Sequence, residues 1–201
     1  MISTEEQIRL NKEFLREFEG YHEFEDKPDG VYIKLQSKYY NNTIYGLTTE
    51  IEIKFYNINK IRRLIEAGAD VNIELERGDM PLHWTAKNNH LELAQLLISS
   101  GVDLEAEDDE SYKPLYWAIE YNSLEVAKLL ISSGVDLEAK DSWGSTPLHW
   151  AAGMNNRLEI AQFLISSGAD VNVKDEWGQT PFRFTVSQKM RELLIKHGAT
   201  R

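Results

Sequence analysis

A chain of 201 residues that is 42% hydrophobic can bury a continuous core, and its 27% of charged residues is interspersed with leucine, isoleucine and aromatics, which excludes a wholly disordered chain. With no cysteine it has no disulfide framework, no thiolate metal site and no cysteine nucleophile, so stability has to come from packing. A formal net charge of -11 repels phosphate backbones and anionic lipid, which argues against nucleic acid and membrane surfaces and for a basic protein wherever the charge is gathered on a contact face.

From the amino terminus, Met1–Glu6 lacks the basic and apolar regions of a secretory signal. Apolar stretches such as Leu96–Ile98 and Leu129–Ile131 fall far short of the roughly 20 residues that a bilayer-crossing helix needs, so a cytoplasmic location is expected. Ser3 with Glu6 forms a capping-box pattern, and Ile8, Phe14, Leu15 and Phe18 give a helical apolar stripe that stops by Gly20. The turn signal Lys27, Pro28, Asp29, Gly30 precedes Val31, Ile33 and Leu35 in alternation, which predicts a β-hairpin after that helix. Residues 1–42 thus form an extension, expected to cover the open apolar side of the segment that begins at residue 43, with a binding or regulatory role as the alternative.

From residue 43 onward the chain repeats itself. The phrase Gly-Ala-Asp-Val-Asn at Gly68 returns as Gly-Val-Asp-Leu-Glu at Gly101 and Gly134, again as Gly-Ala-Asp-Val-Asn at Gly168, and in part at Gly198. The intervals are 33, 33, 34 and 30 residues. Between these glycines stand Pro81-Leu82-His83-Trp84, Pro114-Leu115-Tyr116-Trp117, Pro147-Leu148-His149-Trp150 and Pro181-Phe182-Arg183-Phe184. Proline suits the first turn of a helix, where its missing N–H removes no internal bond, so each phrase opens a helix. A second helix, such as Leu124–Ile131, carries apolar residues on more than one face, as a helix packed between neighbours does. The glycine then ends it in a left-handed conformation at little steric cost.

These phrases resemble the ankyrin repeat, from the Pro-Leu-His phrase to the helix-ending glycine. The resemblance implies a mainly α fold, a solenoid of stacked helix-turn-helix units with projecting β-turn fingers. Its units would be a degenerate first repeat at 43–75, repeats at 76–108, 109–141 and 142–175, and a shortened last unit at 176–201. The end units differ from the middle ones as caps should. Lys60, Arg63 and Glu52 stand where inner units have apolar or small residues, and Gln188 and Arg191 do so in the last, which reads as solvated outer faces of a complete array.

Catalytic signals are weak. His83 and His149 lie inside the repeated phrase, where the resemblance assigns the imidazole to hydrogen bonds between repeats; Tyr116 and Arg183 depart from it, as do Met80 and Lys113 at the usual threonine. The acidic run Glu105–Glu110 lacks the glycine and closing glutamate of a calcium loop, and His22, Glu23, Glu25 and Asp26 have no second ligand cluster. Walker, GxSxG and dinucleotide glycine motifs are absent, so no enzyme activity, cofactor or metal is expected.

The resemblance implies instead that a protein partner lies along the concave side, on finger tips and first helices. Carried onto this chain, that surface holds Arg77, Asp109, Glu110, Tyr112, Glu120, Tyr121, Trp143, Met154 and Trp177 as the partner-binding residues. Beside them lie Glu76, Asp79, Lys87, Asn88, Ser142, Ser145, Glu176 and Gln179. Residues 102–141 hold eleven Asp or Glu against three Lys, so a basic partner is favoured. Trp143 and Trp177 stand either as binding anchors or as packing between turns, while Trp84, Trp117 and Trp150 are expected in the core. Between Gly153 and Arg157 one extra residue lengthens the interhelical loop and predicts a local bump. The expected function is a non-catalytic interaction protein, monomeric when free. An inhibitor or immunity protein neutralising a basic bacterial toxin, and a host-directed effector, are the alternatives.

Overall fold

The computed structural model describes residues 3–19, 58–75 and 79–200, and of residues 16–19 the backbone only. Every element among them is helical: α1 Thr4–Glu19, α2 Ile58–Glu66, α3 Pro81–Asn88, α4 Leu91–Ser99, α5 Pro114–Glu120, α6 Leu124–Ser132, α7 Pro147–Gly153, α8 Leu158–Ser166, a 3-10 turn at Pro181–Phe184, and α9 Gln188–Lys196. The expected hairpin at residues 27–35 lies outside the described residues, as does Glu52. Contacts divide the chain into two units, Met1–Asp70 and Val71–Arg201.

In the first unit α1 packs on α2. The Glu6 backbone N–H donates to Ser3 Oγ at 3.1 Å, which starts α1 as the capping pattern predicts. Its buried face differs from the expected stripe: Leu10 and Phe14, one turn apart on α1, are buried, as are Ile61 and Leu64 on α2, whereas Ile8 is 50% exposed. Leu10 follows Arg9 in a polar stretch, and only the helix register shows that it shares a face with Phe14. Lys60 also departs from a purely solvated role, since its Nζ lies 3.9 Å from Glu13 Oε1 on α1.

In the second unit each proline opens its helix at the first position, and Gly101, Gly134 and Gly168 hold positive φ after the second helix. First helices stack on first helices (α3 on α5, α5 on α7, α7 on the 3-10 turn) and second on second (α4 on α6, α6 on α8, α8 on α9). Leucine, alanine and isoleucine from both series form the core, including Leu82, Leu97, Ile119, Leu130, Leu148 and Leu164.

Two polar ladders stitch neighbouring repeats. In the first, the side chain at the third helical position reaches a carbonyl of the next repeat. His83 Nδ1 accepts the Met80 N–H at 2.9 Å, so its Nε2 carries the proton and donates to Tyr112 O at 3.0 Å. His149 does the same between the Thr146 N–H and Gln179 O. Tyr116, which departs from the phrase, keeps the ladder unbroken: its hydroxyl lies 2.8 Å from Ser145 O and 2.7 Å from Ala139 O. In the second ladder an acceptor after the helix-ending glycine caps a backbone N–H of the next repeat. Asn72 accepts from Asp103, Glu105 from Asp136, Glu138 from Asp170, and Asn172 from Thr200, all at 2.7–2.8 Å.

The first unit carries a similar device on α1. Asn11 Oδ1 on α1 accepts the Asp70 N–H at 3.0 Å, and Gln7 Nε2 donates to Gly68 O at 2.7 Å. At the other end Asn172 alone makes both bonds, donating to Gly198 O at 3.0 Å. Two residues of α1 therefore supply the polar edge that a repeat supplies with one.

Candidate interaction surface

Three projecting turns are built by a buried aspartate. Asp108 Oδ1 accepts the N–H groups of Glu110 and Tyr112, Asp141 Oδ1 those of Trp143 and Ser145, and Asp175 Oδ1 those of Trp177 and Gln179. The chain then returns through a backbone pair such as Asp141 N–H to Ser145 O at 3.0 Å. Each turn needs one left-handed residue, which is Ser111, Gly144 or Gly178. Gly144 has a second reason to lack a side chain, because a Cβ there would sit 2.8 Å from the Glu176 backbone nitrogen.

This construction throws outward the residue two places after the aspartate. That residue is Glu110 in one turn, Trp143 (48% exposed) in the next and Trp177 (63% exposed) in the third. The aspartate's other oxygen faces the first helix of its own repeat, where Trp117 Nε1 donates to Asp108 Oδ2 at 2.7 Å and Trp150 Nε1 to Asp141 Oδ2 at 2.8 Å. Trp117 and Trp150 are consequently half-buried surface residues and not the core residues expected, and Trp84, stacked on His90 at 4.9 Å, is half-buried as well. A tryptophan needs a partner for its N–H, and the turn aspartate holds that polar edge at the periphery.

The rings form one connected group. Tyr112 is its hub, with centroids 5.0 Å from Trp150, 6.1 Å from Tyr116, and 6.4 Å from both Trp117 and Trp143. Trp117 stacks on Tyr121 at 5.6 Å, and Lys87 Nζ sits 5.1 Å and 5.4 Å from those two ring centres. Lysine over two aromatic faces is a cation–π contact within the protein itself. Desolvation pushes the Tyr112 phenol above its ordinary pKa, and the carboxylates of Asp141, Glu110, Asp108 and Glu120 add to that push, so the hub lies in a negative field.

Of the partner-binding residues expected from sequence, Tyr112 and Trp143 meet in this aromatic group and Tyr121 joins it through Trp117. Asp109, Glu110 and Glu120 are exposed, Trp177 projects from the last turn, and Met154 is half-buried after α7. Arg77 and Glu76 lie outside the described residues, and Ser145 is buried. The longer loop after α7 is anchored by Arg157, whose guanidinium donates to the carbonyls of Ile119 and Glu120 at the end of α5. What sequence reasoning missed was the pairing of turn aspartates with tryptophans; its signal was present as a nine-residue interval, Asp108 to Trp117 and Asp141 to Trp150.

The described residues hold no group of three or more His, Asp or Glu arranged for a metal ion, and no helix long and apolar enough to cross a membrane. The family model for ankyrin repeats in three copies matches residues 51–141, and the single ankyrin repeat matches residues 143–176. The chain belongs to the ankyrin repeat family. Ankyrin repeats are protein-interaction modules, typically non-catalytic. Comparison with curated proteins gives no match.

Proposed function

We propose that this ankyrin repeat protein is a non-catalytic binder that holds a basic protein partner against the face built from its finger tips and first helices. The observation that carries the reading is the aromatic group around Tyr112, left partly open to solvent and lying in the field of the exposed carboxylates of Glu110 and Glu120. Aromatic rings that stay exposed on a rigid frame are the usual anchors of protein interfaces, and each well-buried one contributes about 2 kcal/mol or more. That negative field speeds encounter with a positive surface and disfavours acidic competitors.

The test is capture from native lysate with the full chain and with a Trp143→Ala, Tyr121→Ala double variant. Both rings are about half exposed (48% and 47%), so the double variant keeps its fold. A basic protein retained by the wild type, released as salt rises and lost from the variant would support the reading. An acidic protein, or one held equally by the variant, would refute it.

A further inference from the structure

The ladder that stitches the repeats has a fourth rung with nothing to hold. His83, Tyr116 and His149 occupy the third helical position of their phrases, and each sends a donor to a carbonyl of the turn that follows. Arg183 has that position in the 3-10 turn, yet it is exposed and its guanidinium has no acceptor among the described residues. It lines an open cleft of about 550 Å³ between the 3-10 turn and α9, within the roughly 300–1,000 Å³ usual for ligand sites. Arg191 lines the same cleft from α9. Its Nε donates to Thr185 Oγ1 at 3.0 Å and one Nη lies 3.5 Å from Thr185 O, so its inner edge is held while the outer N–H groups remain to donate. Phe182, half-buried, and Ile195, 46% exposed, supply apolar walls.

We propose that this cleft docks a short acidic segment of a protein, with a carboxylate side chain on Arg183 and Arg191 and an adjacent apolar side chain on Phe182 and Ile195. Charge selects the occupant. No carboxylate lines the cleft, and residues 180–200 hold four Lys or Arg against Glu192 alone, which accepts from Gln188 Nε2 at 3.0 Å outside the lining. In a chain of net charge -11, this stretch has the opposite sign. The donor selects it further. Histidine and tyrosine offer one donor at the ladder position, whereas a guanidinium offers a planar fork that matches the two oxygens of a carboxylate. A bare phosphate would leave the apolar walls unused, and the charge of the rest of the chain repels nucleic acid. Solvation of this surface would require the charge but neither a cleft nor an arginine fixed on its inner edge. The surface is separate from the finger tips, and the claim concerns a segment and not the net charge of the protein that carries it. It therefore goes beyond the basic-partner reading and does not depend on it.

The experiment titrates the ¹⁵N-labelled full chain with the capped peptide Glu-Leu-Glu-Glu-Leu-Glu, and with its glutamine counterpart at the same ionic strength. Backbone signals from Phe182 to Ile195, the Nε–H of Arg183 and Arg191, and every indole N–H are followed. Arg183→Glu reverses an exposed charge that makes no bond, so it keeps the fold; Arg191→Ala accompanies it, and if that variant fails to fold, Arg183→Glu decides. We expect the acidic peptide to shift both arginines and the backbone between Phe182 and Ile195 saturably, the glutamine peptide to bind at least tenfold more weakly, and each folded variant to lose at least tenfold in affinity. The Trp143→Ala, Tyr121→Ala double variant should bind the acidic peptide as the wild type does. Unchanged affinity in Arg183→Glu, equal binding of the glutamine peptide, or no saturable shift at these residues would overturn the site. Inorganic phosphate or a thymidine oligonucleotide producing the same shifts at lower concentration would overturn it in favour of a phosphate site. Shifts that grow with protein concentration alone and vanish in Arg183→Glu would assign the cleft to a second copy and overturn it too. An acidic peptide that instead shifts the indoles of Trp117, Trp143 and Trp150 would overturn both this site and the basic-partner reading, whereas failure at the cleft with those indoles unmoved leaves that reading intact.

Discussion

Replacing Tyr116 with phenylalanine removes one oxygen and leaves the ring, so it tests whether the ladder between repeats carries stability. The hydroxyl lies 2.7 Å from Ala139 O and 2.8 Å from Ser145 O, in a residue that is almost wholly buried. Ser145 O keeps a second donor, the Asp141 N–H at 3.0 Å, so the deletion mainly strands Ala139 O. Losing one net hydrogen bond and leaving one buried acceptor unpaired costs about 1–3 kcal/mol. For a domain of this size each kcal/mol lowers Tm by about 2–4 °C. The assay is thermal and urea unfolding of the full chain, with Tyr116→His as companion. Histidine would donate to Ser145 O, as His83 and His149 do to Tyr112 O and Gln179 O, but not to Ala139 O, so it should recover little if the stranded Ala139 carbonyl accounts for the loss. A phenylalanine variant with unchanged Tm and urea midpoint would refute the reasoning, because the tyrosine would then be only a space-filling substitute for histidine.

Burial lowers the pKa of His83 and of His149 against smaller opposing effects from neighbouring carbonyls and carboxylates, so the folded protein binds fewer protons there than the unfolded chain. Stability should be full above about pH 6.5 and fall as pH drops below it towards the lowered folded values, which Tm measured from pH 8 to 5 will read. Asn11→Ala should remove the bond to the Asp70 N–H and cost the first unit about 1 kcal/mol, seen as faster hydrogen exchange at that amide. Gly144→Ala should destabilise by more than Gly134→Ala. Both glycines have positive φ, but only at 144 does a Cβ meet the Glu176 backbone, at 2.8 Å. Glu138→Gln should raise Tm at pH 7, because burial raises the pKa of Glu138 first of all, with Asp170 and Asp136 nearby adding to the rise. A carboxyl with a raised folded pKa loses stability as pH climbs from its unfolded value through its folded one, so the gain should vanish at pH 4.

The repeat was legible because its signals are backbone requirements: proline at a helix start and glycine in the left-handed region after its end mark the same places in sequence and structure. The ladder was half legible. Histidine was recognised by its phrase, but Tyr116 could be seen as its equivalent only once a longer side chain was found reaching the same carbonyl one repeat on. The buried face of α1 was misread because Ile8 advertises an apolar side chain while Leu10 sits between Arg9 and Asn11, and neither hydropathy nor spacing shows which side α2 will cover. The tryptophans were misplaced for a related reason. Hydrophobic size suggests the core, but the indole N–H of Trp117 and of Trp150 needs a partner, and the turn aspartate that supplies it stands at the edge of the fold.

That edge also changes what the acidity means. Among the eleven acids of residues 102–141, Asp108 and Asp141 hold the turns, Glu105 and Glu138 cap the next repeat, and Glu105 also lies 3.2 Å from Lys113. Their charge is spent on backbone N–H groups, so salt should touch their contribution little. Glu107, Asp109, Glu110 and Glu120 are instead exposed, and their fields repel one another across solvent, where screening is strong. Rising salt should therefore relieve strain in the free protein while weakening its hold on a positive partner. Stability and binding would then move in opposite directions along one titration, which separates acids that build the fold from acids that recruit a ligand.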